Sequence, residues 1–447
     1  PPPPPPPPPL FFYTHTPASE IRLSLVGSEM CIRDSILLCA NIPLSHLEIR
    51  IPDLVPRKAT PVVICDEDGI DAKIAAQRLK FFGYTNVGVL EGGVKEWGKA
   101  GFEIFSGLNV PSKAFGEFIE HAYGTPSVSA EELKAMMDNK EDIIVLDSRP
   151  MPEFNVMNIP TGIDMPGAEL VHRVQDTGIS SDTTIVVNCA GRTRSIIGAQ
   201  SLINAGISNK VVALRNGTMG WHLAGFKLEH GMDRPPPAVS SAGYQKALTG
   251  AEAAAQRFGV IKIKQETLDQ WRNEQEERTL CILDVRTEEE FETSHISDSR
   301  HAPGGQLVQA TDVYVATQKA RVVLVDDLMV RALMTASWLM QLGWCEVYVL
   351  ETGFEGQAMS SGQRIAPCFG LEKQKINFVT PNEALIAQET GATIVCLDKS
   401  LSCREKHPKG AWFSIRSKLS MDIKRNEINT PLILISTDIK ISVMAAL

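Results

Sequence analysis

Short runs of four or five apolar residues recur along this chain, each leading into a polar loop and then a longer stretch of helical periodicity. "PVVICDEDGIDAKIAAQRL" (61–79), "TIVVNCAGRTRSIIGAQSL" (184–202) and "RVVLVDDLMVRALMTASWL" (321–339) superimpose without a gap. In each, the continuous apolar run predicts a buried strand, and the later apolar positions, spaced by three and four, predict an amphipathic helix. A Gly-containing turn and a second short strand follow each helix, in "FGYTNVGVLEGG", "AGISNKVVALRNG" and "LGWCEVYVLETG". Upstream of the second and third copies stand "IIVLDSRPMPEF" and "CILDVRTEEEF", both strands ending in Asp-x-Arg. A fourth copy opens at "ATIVCLDKS" (392–400), continues to "PLILISTDIKISVMAAL" and stops inside its helix. Strands alternating with helices at a fixed repeat predict α/β architecture: tandem domains, each a small parallel sheet flanked by helices, with ligand sites at the carboxyl ends of the strands.

The pattern divides the chain into repeats at 36–108, 123–232, 261–366 and 376–447, with a linker and connecting helix at 233–260. "RPPPAVSSAG" supplies the linker and "YQKALTGAEAAAQRFG" the helix. The first repeat starts only at "ILLCANIPLSHLE" and the last lacks its tail, so both ends read as those of an incomplete transcript and neither terminal sheet is expected to close. Residues 1–35 open on nine prolines and contain "LSLVGSEMCIRDS", which resembles translated sequencing-adapter read-through. They are expected to be non-native and to lie outside the fold, Cys31 with them.

Composition narrows the function. Hydrophobic content of 43% and charged content of 22% are ordinary for a globular chain. A net charge of −9 argues against a general nucleic-acid or anionic-membrane binder, since phosphate is normally met by positive charge. Nine cysteines without a CxxC pair, and without His at zinc spacing, predict a reduced, cytoplasmic protein.

The second copy carries the candidate chemistry. Cys189 follows its strand directly, and Ala190, Gly191, Arg192, Thr193, Arg194 and Ser195 lead into the helix. A strand, tight loop and helix N-terminus present a cradle of backbone N–H groups, and a cysteine at its lip, beside two guanidinium groups, favours the thiolate. On the same alignment Asp66 and Asp326 replace Cys189, the last copy offers Ser436 or Thr437, and Cys65 falls one residue early, where strand alternation points it away from the cradle. A carboxylate can fill the anion cradle itself. Cys281 and Cys396 lie within apolar strand patterns and are expected to be buried. The bland alternative is that Cys189 is an inert small hydrophobe. A cysteine phosphatase or arsenate reductase is a sharper rival, but its loop has one more residue between Cys and Arg than the four found here.

Taken together, Asp147-Ser-Arg149, Glu153-Phe154, Ile159-Pro160-x-Gly162, Cys189, Asn216-Gly217 and Trp221 resemble the rhodanese family of sulfurtransferases, and the whole chain from about residue 36 is similar to bacterial four-repeat members. "LEGGVKEWGKAG" (90–101) matches the family's closing segment, whereas Asn158 stands where the family usually has His, a turn-orienting position. The resemblance implies thiosulfate sulfurtransferase chemistry in the second repeat: Cys189 becomes a persulfide, Arg194 and Arg192 with the loop amides bind the anionic donor, and neither metal nor organic cofactor is needed. Expected partners are small sulfur-containing anions and thiol or cyanide acceptors. Of the nine cysteines only Cys189 is expected to be accessible and reactive. Asp147 and Arg149 are expected to cap or pair structurally, and Trp221 to pack and form a wall of the pocket. The other repeats would serve as scaffold, channel walls or protein-partner surfaces, and a persulfide carrier or binding module is the non-enzymatic alternative.

Overall fold

A computed structural model describes residues 21–24, 34–37, 39–107, 109–371 and 376–446. The chain divides into two compact units, one built from the second and third repeats (109–364) and the other from the first and last.

In the unit that bears Cys189, each repeat forms a five-stranded, wholly parallel sheet. The second repeat orders its strands Ser127–Val128, Val211–Leu214, Thr184–Asn188, Ile143–Asp147 and Ile163–Asp164. The third follows the same plan, with Ile261–Ile263, Glu346–Leu350, Arg321–Val325, Leu280–Asp284 and Arg300–His301. Central strands in such sheets are covered on both faces, which is why Ile185, Val186 and Val187 are all buried rather than alternating. In register, Asn188 lies beside Asp147, and Asp147 beside Asp164, so the residues that follow these strands meet at one carboxyl end.

Three features depart from the sequence reading. A helix at Val110–Tyr123, which lies across the predicted boundary between the first two repeats, packs on the helix Thr193–Asn204. Its Gly116 allows the approach, since a Cβ there would sit 2.9 Å from Cγ2 of Thr193. The connecting helix Ser241–Arg257 begins inside the predicted linker, capped by the Ser240 hydroxyl, and packs against both repeats rather than merely joining them. Trp221 is a core residue: it is buried with Val145, Val186 and Leu214, and its indole N–H donates to the carbonyl of Lys227 at 2.9 Å. It does not wall a pocket at the loop, because the short helix Gly217–Leu223 turns that side chain inward.

In the other unit, the expectation of a first sheet without its leading strand is corrected. Ile21–Ser24, within the segment expected to lie outside the fold, runs parallel between Cys39–Asn41 and Val62–Cys65, where the Asp-x-Arg strand sits in the other repeats. Most of 1–35, Cys31 included, lies outside the described residues. The last repeat forms a three-stranded parallel sheet, Trp412–Phe413, Thr393–Cys396 and Leu432–Ile435. Within this unit Glu48 is buried between Arg78 and Arg416, at 3.0 and 2.7 Å.

Candidate active site

The loop after Thr184–Asn188 is shaped by three sets of hydrogen bonds. Asn188 donates from Nδ2 to Asp147 at 2.7 Å and to the Thr218 hydroxyl at 2.9 Å, which ties the strand end to the neighbouring strand and to the turn above. Asp147 in turn receives the Arg149 guanidinium through two bonds, at 2.8 and 2.7 Å, and the Arg149 amide at 3.1 Å. The expected structural role of Asp147 and Arg149 thus takes the form of a buried bidentate pair, and breaking such a pair from one side costs about 3–5 kcal/mol. The third set comes from the turn at Asn216–Gly217. Thr218 and Met219 donate their amides to the carbonyls of Cys189 and Ala190, at 2.8 and 3.0 Å. Gly217 makes this closure feasible: its φ is +53°, and a Cβ would lie 2.3 Å from the Cys189 carbonyl oxygen.

With the first two loop carbonyls bound to the Gly217 turn, the amides are left for something else. Those of Ala190 through Ser195 donate to no protein acceptor among the described residues. They open the helix Thr193–Asn204, whose N-terminal partial charge favours an anion. Cys189 precedes them and is only 2% exposed. The expectation of an accessible thiol is therefore corrected: the residue is buried, with its carbonyl bound to the Gly217 turn.

The two arginines part company. Arg194 turns inward, only 10% exposed, and forms a two-pronged pair with Glu153 at 2.8 and 2.7 Å. Its third contact is to Oε1 of Gln306 in the third repeat, at 3.3 Å. Burial works against its charge, but Glu153, then Cys189 and Asp147, more than compensate and hold the guanidinium above its ordinary range. The Cys189 sulfur thus shares this arginine's field. Arg192, 43% exposed, turns outward to Glu117 and Glu120 of the helix Val110–Tyr123, at 3.0 and 2.5 Å. Ser195 uses its hydroxyl on the carbonyls of Arg192 and Leu214, bracing the loop. Gly191 has no left-handed φ and open space at its Cβ position, so its backbone does not require glycine.

Outside the loop, a cavity of about 420 Å³ is lined by Gly191, Arg192, Thr193, Asn216, Met219 and Leu223, among others. Sequence reasoning did not identify Glu153, Glu117, Glu120 or Gln306 as site residues. Glu153 had a signal, standing in the family pattern at the position of Glu290, whereas the others reach the loop only through the fold. Asn158 and His295 each bond the carbonyl four residues earlier, Phe154 at 3.3 Å and Phe291 at 2.7 Å, so Asn replaces His in the same turn-holding role. Among the described residues no cluster of three or more His, Cys, Asp and Glu is placed to hold a metal, and no helix is long and apolar enough to cross a membrane.

The aspartate loops place the same amides on their own carboxylates. Asp326 receives the amides of Leu328, Arg331 and Ala332 at 3.3, 2.8 and 3.3 Å. Asp66 receives those of Gly69, Asp71 and Ala72, the last two at 2.7 and 3.2 Å. Cys65 packs with Ile36, Cys39 and Val94, away from its cradle, and Cys281 and Cys396 are buried.

The rhodanese-like domain model matches residues 28–100, 129–224 and 264–359, three segments that include the Cys189 and both Asp loops. A crystal structure of thiosulfate sulfurtransferase from Pseudomonas aeruginosa is 42% identical and superimposes with a TM-score of 0.90, covering 95% of this chain and 81% of that one. The candidate sulfur carrier protein YrkF of Bacillus subtilis (strain 168) is 23% identical over 136 residues, 29% of this chain and 72% of that protein.

Proposed function

This chain belongs to the rhodanese family, and from that premise we propose that it is a sulfurtransferase with one reactive centre, Cys189, acting on thiosulfate or a persulfide donor. The observation that carries this reading is the row of loop amides left without a protein acceptor beside Cys189, where the aspartate loops fill theirs.

The Cys189 thiolate attacks the outer sulfur of thiosulfate. A new S–S bond forms at Cys189 while the S–S bond of the donor breaks, and sulfite leaves with the electron pair. The persulfide's terminal sulfur, an anion, then lies among the amides of Ala190–Ser195. Cyanide or a thiolate attacks that terminal sulfur, the Cys189 S–S bond breaks, and the thiolate is restored. Arg194 supplies positive charge toward the donor, held in place by Glu153. Sulfite is a good leaving group, so no general acid is required.

The test is to mix the protein with thiosulfate and cyanide and follow thiocyanate, with mass spectrometry of the Cys189 peptide in the absence of cyanide. Added sulfur on Cys189 with steady turnover supports the enzyme. Stoichiometric loading without turnover supports a carrier, and no sulfur on Cys189 with any sulfane donor overturns the reading.

A further inference from the structure

The second and third repeats correspond at a constant spacing of 137 positions, which pairs Cys189 with Asp326, Arg194 with Arg331, Glu153 with Glu290 and Glu169 with Gln306. The structure keeps this correspondence in three dimensions and exchanges it across the junction of the repeats. Arg331 takes Glu290 of its own repeat at 2.7 Å and Glu169 of the second repeat at 3.2 Å. Arg194 takes Glu153 of its own repeat at 2.7 Å and Gln306 of the third at 3.3 Å. The junction is tightly fitted: Trp338 donates its indole N–H to Ser201 at 2.8 Å, and a Cβ on Gly305 would lie 2.9 Å from the Gly167 nitrogen. Both cross-repeat contacts therefore lie at a close-packed junction.

The partners differ in charge. Arg331 is enclosed by four carboxylates, those of Asp326, Asp327, Glu290 and Glu169, and is fully buried. Arg194 has one carboxylate and one amide. An arginine already neutralised by several acids has no field left for a bound anion, and a second carboxylate here would also oppose the thiolate of Cys189.

We propose that Gln306 is a specificity-determining positioning residue of the Cys189 site: its uncharged amide fixes Arg194 from the third repeat while leaving the guanidinium able to bind an anionic sulfur donor. The third repeat, which lacks a reactive cysteine, thereby sets the charge of the site next door. This rests on the sulfurtransferase reading.

The test compares Gln306→Glu, Gln306→Met and Gln306→Lys in the full chain. Two readouts are taken: KM and kcat with thiosulfate, and the pH profile of Cys189 alkylation by iodoacetamide, a neutral reagent whose rate reports the thiolate. The charged groups gathered at Arg194 are Glu153, Asp147 and Cys189, all unchanged in these variants. Gln306→Glu is expected to raise KM about tenfold or more with a smaller effect on kcat, and to move the alkylation profile up by about one pH unit. Gln306→Met, which removes the amide that fixes Arg194 without adding charge, should raise KM about threefold and leave the alkylation profile in place, and Gln306→Lys should move the profile down, which keeps the proposal testable if the Glu variant does not fold. Identical KM values and superimposable profiles for the folded variants would overturn it. A wild-type protein that transfers no sulfur would instead overturn the functional reading, while the alkylation profiles would still decide the role of Gln306.

Discussion

The loops at Cys189 and Asp326 share strand, helix and closing arginine, yet one is an open anion cradle and the other is occupied by its own side chain. The difference begins with one residue and spreads through the backbone. Asp326 bonds the amides of the first helical turn and pairs with Arg331, which holds its carboxyl below the ordinary range even though burial pushes the other way. Asp327 beside it is disfavoured as an anion, its carboxyl pushed up to about 6 by burial and by Asp326. To bring the carboxylate onto those amides, the chain enters the helix through a left-handed residue, Met329 at φ +66°, and the first repeat does the same with Gly69 at φ +87°. The equivalent Arg192 has φ −136°. A cysteine, with no hydrogen-bonding oxygen to satisfy, leaves the amides open and the loop free of that turn. Exchange of cysteine for aspartate and gain of a self-capped helix are thus one structural event.

Breaking the comparison at the reacting atom should have the largest effect. Cys189→Ser is expected to lower thiocyanate formation by about a thousandfold or more, because the hydroxyl cannot carry sulfane sulfur. Asp326→Cys should acquire no persulfide at a comparable rate, since it removes the carboxylate from Arg331 without reopening a path to solvent. Persulfide found at residue 326 in a peptide digest would show that side-chain identity alone separates the loops.

The next effect is on stability. Asp326→Asn leaves Arg331 buried with a weaker partner, and should lower the free energy of unfolding of this unit by about 3 kcal/mol or more in urea. Cys189→Ala, which leaves the amides as they were, should cost about 1 kcal/mol or less. Equal losses would mean that the filled cradle adds nothing to the fold.

A pH dependence distinguishes the strands beside the two loops. Asp164, aligned with His301, has its carboxyl pushed up to about 8, first by burial and then by Asp147, from an ordinary value of 3.8. Its folded-state pKa is raised, so between roughly pH 4 and pH 8 the folded protein holds a proton that the unfolded chain has released, and stability falls as pH rises through that window. Asp164→Asn should flatten the decline in urea midpoints measured from pH 5 to 8. A slope unchanged in that variant would assign it to other groups.

Much of this was legible from the sequence. The repeat, the parallel α/β sheets and the strand-loop-helix cradle follow from hydrophobic period and alignment, and the reading of Asp66 and Asp326 as cradle-filling side chains follows from placing a short acid at an anion site. What was not legible depends on contacts between residues far apart in the chain. Gln306 meets Arg194 across 112 positions, and Glu117 and Glu120 reach Arg192 from a helix outside the predicted repeat boundary. Trp221 and Gly191 show a second limit. Tryptophan near a site packs in the core here, and a glycine in a tight loop adopts an ordinary conformation, because the demanding position is Gly217, which touches the loop from the next turn. The pairing of Ile21–Ser24 shows a third: a segment set apart by its composition supplies a backbone strand to the first sheet.

The smallest expected effect isolates the backbone. A side chain in the left-handed region costs about 1–2 kcal/mol, partly offset on replacement by glycine's greater freedom in the unfolded chain. Met329→Gly should therefore raise the urea midpoint, by about 0.5–1 kcal/mol in free energy. The same substitution at the matched position, Arg192→Gly, relieves no such strain and removes the pairs with Glu117 and Glu120, so it should leave stability unchanged or slightly lower. Opposite signs at two aligned positions would separate the conformational consequence of filling the cradle from its electrostatic one. If Met329→Gly instead lowered the midpoint, packing of the Met329 side chain would outweigh its backbone strain, and the left-handed entry would have to be credited to that packing rather than to the carboxylate of Asp326.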